Sequence, residues 1–332
     1  MVVVMVVTAR CTPPRTTGST ALSSAAVRDG EFIMERAPAL PPAPPSTPPV
    51  IGGCTVFPPD NPWNRDVSGD PIDARSDEYL ANIVAHGGMH LHADFGALPR
   101  YGIPFVVVPA SQPLVPVRFR AYPGESDPGP YPIPEDAPIE GGRDHHVIVL
   151  QQDTCRLYEL YHATPSGDGW LADSGAVFDL RSNALRPNGW TSCDQAGLPI
   201  LPGLVRYAEV ADGGIRHAIR VTFDHTQNAW ISPARHPGDT RDRSAPPMGL
   251  RLRLKADYDL APYRGAVRVI LEALKRYGVI VADTGSNWYL TGAPDLRWAT
   301  ANLHALEDVP GTAFEVVQSG PVMRRQERRL PR

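Results

Sequence analysis

DHHVIVLQQDTCRLYELYH (144–162) is the stretch on which the reading of this chain turns. It reads as two strands, 145–150 and 155–162, flanking Gln151-Gln152-Asp153-Thr154, a spacing suited to a four-residue hairpin loop. That geometry pairs Leu150 with Cys155, Ile148 with Leu157, His146 with Glu159 and Asp144 with Tyr161. One face then has an apolar half near the turn and a polar half away from it. The polar half places Asp144, His146, Glu159 and Tyr161 side by side, residue types suited to acid/base chemistry because partial burial raises a carboxyl pKa and a neighbouring imidazole tunes it. The structural alternative is a satisfied cross-strand His–Glu pair at the sheet margin.

Working outward, strand signals recur at 105–108, 117–122, 215–223, 250–255 and 279–282, whereas only 77–86 and 265–277 have convincing helical periodicity. Ser76 is placed to cap the first helix, and Gly87-Gly88 and Gly278 to stop the two. Strands outnumber helices and do not alternate with them, which predicts a mainly β chain: an antiparallel, jelly-roll-like β-sandwich with about two peripheral helices. The 37 prolines in 332 residues agree with short strands and long connections.

The segment 1–50 reads as a degenerate signal segment followed by a Pro-rich tether, 51–320 as one β-rich globular domain, and 321–332 as a basic disordered tail. No stretch has the apolar length of a membrane span. The net charge of -4 and the lack of a basic stripe with aromatics argue against nucleic acid as a partner. Cysteines at 11, 54, 155 and 193 lack metal or redox spacing. One disulfide, Cys54 to Cys155, in an exported protein is preferred, with four thiols as the alternative.

Further candidate chemistry lies downstream. Asp173 and Asp179 supply carboxylates beside Trp170, and carbohydrate cleavage asks for paired carboxylates next to rings that stack on sugar faces. Trp170, Trp190 and Trp288 are candidate stacking platforms, and Tyr131 sits in a proline-stiffened connection (124–142) of the kind that lines clefts. His90, His92 and Asp94 form H-x-H-x-D, a metal-binding alternative in an extended segment. No phosphate loop, dinucleotide fingerprint or nucleophile elbow occurs, and no cofactor is required.

FPPDNPWN (57–64), ESDPGPYPIP (125–134), DSGAVFDL (173–180), GLPILPGLVRY (197–207), PPMGLRLRLKA (246–256) and RYGVIVADTGSNWYLTGAPD (276–295) together resemble a family of predicted secreted bacterial proteins with no assigned activity. The resemblance spans about 57–317 and implies export. The residues themselves lead to an expectation of a secreted carbohydrate-active protein, a polysaccharide hydrolase or lyase with Glu159 and His146 central and Asp144, Tyr161, Asp173 and Asp179 in support. Polysaccharide or oligosaccharide is the expected partner. A non-catalytic sugar-binding or cell-envelope module and a metal-dependent hydrolase are the alternatives.

Overall fold

The structure is a computed structural model and describes residues 47–324, which lie in one compact unit. The expectations for 1–46 and 325–332 concern residues outside that range. The described chain is mainly β, in several mixed and antiparallel sheets with few helices.

The decisive hairpin forms from Val147–Gln151 and Arg156–Tyr161. Its register differs from the expected one: Leu150 faces Leu157, Ile148 faces Glu159 and Gln151 faces Arg156. Each strand has moved one residue toward the other's end, so the turn is 152–155, with Asp153 and Cys155 at positive φ. A combined shift of two preserves the alternation of faces, so the expected grouping of side chains on each face survives. Val106–Val108 adds in parallel and Ser174–Asp179 in antiparallel, giving a four-stranded sheet.

That sheet is buried on both sides. Ile148, Leu150 and Leu157 enter the large core, while Val147, Val149 and Leu160 enter a second cluster with Tyr131, Ile133, Trp170 and Ala172. A fully apolar run is what double-sided burial requires. Cys155, displaced from the strand into the turn, bonds to Cys54 with the two Cα atoms 5.4 Å apart.

The other large sheet has six strands. In spatial order they are Phe314–Val316, Arg251–Leu254, Val279–Thr284, Ile219–Phe223, Tyr289–Thr291 and His92–Asp94. Ile219–Phe223 pairs in parallel with Val279–Thr284, and Tyr289–Thr291 in parallel with the edge strand. Parallel pairs in both sheets depart from the purely antiparallel expectation, because the intervening chain is long enough to cross back in the same direction.

Helices form where expected, at Ser76–Ala85 and Gly265–Arg276, with a short extra one at Tyr207–Ala211. Gly278, at φ 64°, ends the second, as a residue without Cβ can. Ser76 does not cap the first helix: its hydroxyl accepts from the Val316 amide at 2.9 Å, tying helix to sheet.

Candidate active site

The six-stranded sheet presents a row of polar side chains on one face, and its register explains why. Opposed residues share a face, so Thr222 opposite Tyr289, and Tyr289 opposite His92, define it, and their i±2 neighbours Arg220, Thr291 and Asp94 fall on it too. Asp283 would face the other way in an uninterrupted ladder. An irregularity places Val221 opposite Val281 but Thr222 opposite Asp283, skipping Ala282 and turning Asp283 onto the face of Arg220. Glu140, Asp144 and His146, from the segment that enters the hairpin, close over this face. Together these side chains, His92 excepted, line a cavity of about 300 Å³.

At its base Arg220, buried, donates through Nε to both Asp194 carboxylate oxygens at 2.9 and 2.8 Å, through Nη1 to Thr291 Oγ1 at 2.6 Å and through Nη2 to Asp283 Oδ2 at 3.0 Å. A further Nη2 contact to Asp194 completes the fork. Asp194 is sealed at 0% exposure, whereas Asp283 remains 21% open to the cavity. Burial, and then the charge of Asp194, hold the Asp283 carboxyl well above the usual carboxylate range. Burial also raises Asp94, against the pull of Arg220, with Glu140 and Asp144 adding to the rise. Among the described residues, no hydrogen bond or ion pair engages the side-chain carboxyl of Asp94 or Asp144.

His146 is 2% exposed. Its Nδ1 lies 2.6 Å from Glu140 Oε2 and its Nε2 3.1 Å from the Cys193 carbonyl. Burial alone would lower its pKa, but the Glu140 hydrogen bond and charge overcome that and push it up to about 9. With both ring nitrogens donating, it is an imidazolium that positions Glu140 and the loop carrying Asp194; it has no free lone pair to act as a base. Tyr161 sets its ring 5.5 Å from that of His146 and, with burial and then Asp144 and Asp283 raising its pKa, keeps its proton.

The central pair expected from the sequence therefore separates. Glu159 does share the sheet face with His146, but it is 0% exposed and its carboxyl accepts from the amides of Ile200 and Leu201 at 2.9 to 3.0 Å. Burial pushes it up to about 7 against those bonds, and it anchors a loop without reaching the cavity. Asp173 is held by Arg120 and His162 at 2.7 and 2.8 Å, and Asp179, at the end of its strand, by Arg181. Neither lines the site.

The expected stacking platforms are walls of the core. Trp288 is 0% exposed with Nε1 donating to the Gly88 carbonyl, Tyr131 is buried with its hydroxyl on the Asp127 carbonyl, and Trp170 is buried in the second cluster. Trp190 is half-buried, its ring 5.6 Å from the Arg186 guanidinium. His90 and His92 line a neighbouring cavity while Asp94 lines the main one, and among the described residues no group of three His, Cys, Asp or Glu is placed to hold a metal ion. From the sequence Asp94 was a candidate only as a metal ligand, and Arg220 and Asp283 were legible only as charges interrupting apolar strands, a signal that reading left unused.

A larger cavity of about 720 Å³ lies beside Pro262–Val267. Its charged linings are Asp308 and Arg264, and Nη1 of the latter donates to the carbonyls of Ala261 and Tyr263. Convergent titratable groups favour the smaller cavity as the site of chemistry.

The buried imidazolium carries a stability consequence. Its pKa of about 9, against an ordinary 6.5, means that the folded state holds a proton the unfolded state releases. The stabilisation is whole below about pH 6.5 and disappears as pH rises through 9, a loss on the order of 3 kcal/mol. Glu159, also raised, acts in the same direction at lower pH. Urea midpoints measured at pH 6 and pH 9 should fall accordingly, and His146→Gln should flatten the upper part of that slope.

Comparison with known protein families, curated proteins and solved structures returns no match for this chain.

Proposed function

We propose that this chain is a secreted carbohydrate-active hydrolase, its two large sheets forming a sandwich-like frame, that cleaves glycosidic bonds by acid/base chemistry with Asp283 as proton donor and Asp94 as the base. The observation that carries this reading is a carboxyl whose pKa is raised by burial and by a sealed acidic neighbour, facing an open polar cavity that also holds two unengaged carboxyls. A carboxyl with a raised pKa that gives a proton, beside a second carboxyl that takes one, is the usual pair of glycoside hydrolysis. Asp283 gives its proton to the glycosidic oxygen as the C–O bond breaks; Asp94 takes the proton of the water that attacks the anomeric carbon. Asp144 lies across the cavity as a second carboxylate, and His146 and Arg220 position the acids.

Charge selects among carbohydrates. Both donors of His146 and four of the five N–H groups of Arg220 are bonded inside the protein, so the cavity faces substrate mainly with Asp94, Glu140, Asp144 and Asp283. A uronate lyase needs a free cation against the substrate carboxylate, and this wall repels one. Neutral or amino-sugar chains fit, and hydrolysis is favoured over elimination. The disulfide supports an oxidising compartment, and no helix among the described residues is long and apolar enough to cross a membrane. Membership of the secreted family that the sequence resembles belongs to this same proposal.

The test is release of new reducing ends from a panel of neutral and amino-sugar polysaccharides. Asp283→Asn should lower kcat at least about a hundredfold while keeping the fold, since the amide still reaches Asp194 and Arg220. In the active wild type, the rate should fall on the alkaline side as Asp283 loses its proton. Undiminished turnover by Asp283→Asn, or binding without cleavage by the wild type, would overturn the assignment.

A further inference from the structure

Beside the candidate active site lies a second cavity of about 210 Å³, lined by Met89, His90, His92, Asn287 and Glu307. We propose that it is an adjoining subsite that holds the next sugar of a chain, so that the substrate is an oligosaccharide or polysaccharide laid across the edge of the six-stranded sheet. The inference rests on the carbohydrate reading above and names how the substrate is held.

Two structural elements run through both cavities. Along the edge strand, alternation puts Asp94 in the first and His92 in the second, two residues apart on one face. Along the turn that follows Val279–Thr284, Gly285 and Ser286 line the first and Asn287 the second. The junction is the pair His92 and Tyr289, opposed in the ladder with ring centroids 4.8 Å apart and planes 34° apart. Tyr289 belongs to the first cavity and His92 to the second.

The chemistry of the second cavity suits a sugar ring. His92 offers a half-buried ring face, on which the C–H face of a pyranose can rest. His90 and Glu307 are exposed and bring both donor and acceptor capacity to the hydroxyls. Asn287 is fixed, its amide donating to the His86 carbonyl and accepting from the Asp224 amide at 2.8 and 3.1 Å, so the wall between the cavities is pre-formed. The two cavities have room for about one ring each. His92–Asp94 is the last strand of its sheet, and Leu303–Asp308, which carries Glu307, packs against it and closes the far wall of the second cavity.

The experiment compares cello-, xylo-, manno- and chito-oligosaccharides of two to six units, with kcat/KM for those cleaved and Kd by calorimetry for those bound. An occupied subsite raises kcat/KM, or tightens Kd, by about tenfold from the shortest to the longer chains. His92→Ala should reduce that gain to about twofold, and Glu307→Gln, an exposed change that spares the fold, should reduce it in part. Cleavage or binding with no dependence on length, or a length dependence indifferent to both variants, overturns the subsite and leaves the active-site assignment standing. Failure of every oligosaccharide to bind or to be cleaved removes both.

Discussion

Arg220→Met is expected to destabilise the fold by about 3–5 kcal/mol, because it strands carboxyl groups that the guanidinium now holds. Asp194 is sealed, and Arg220 supplies it with a forked pair of donors while also reaching Asp283 and Thr291. Methionine fills comparable volume, so the loss reports charge and hydrogen bonding more than packing. The partner's response separates the two: Asp194→Asn in the Arg220→Met background should recover a large part of the loss, since an uncharged amide is far cheaper to bury. Chemical denaturation of both single variants and the double variant completes the cycle. A single-variant loss below about 1 kcal/mol would mean that the cluster is not what organises this face.

Removal of the Cys54–Cys155 bond should have an effect of similar size. It joins residues 101 positions apart, and the chain entropy regained by an unfolded loop of that length is worth about 4–5 kcal/mol. It also fixes the turn at Cys155, a residue held at positive φ, beside the hairpin whose other end carries His146. Cys54→Ser/Cys155→Ser should lower the urea midpoint with little change in the native near-ultraviolet spectrum, and reductant should do the same to the wild type. An unchanged midpoint under full reduction would show that the bond is incidental to stability.

Much of the frame was legible in the chain's own chemistry. Residues 144–162 declared a hairpin, the spacing of Val267, Ile270, Leu271 and Leu274 declared a helix, and the Cys54–Cys155 pair was among the readings that the sequence allowed. Even where the hairpin register was misjudged, the faces came out right, because a shift of two keeps side-chain parity and His146 stays on the side of Tyr161 and Glu159. Depth did not. Whether Glu159 met solvent depended on Ile200 and Leu201, which arrive from outside the hairpin and take its carboxyl. The tryptophans were misjudged for the same reason: aromatic rings fill cores as readily as they line clefts.

Local pattern by itself therefore determined that this is a mainly β chain with a few helices, and which residues of the hairpin share a face, since both follow from periods of about two and 3.6 residues along the backbone. The candidate site was decided by tertiary structure alone. Asp94, Glu140, Asp194, Arg220 and Asp283 come from five separated segments, and Asp283 joins them only because the ladder skips Ala282 and reverses the parity that its strand would otherwise impose. A carboxyl's chemistry is set by its neighbours across space, and the strand's own sequence carries no record of which neighbours those are.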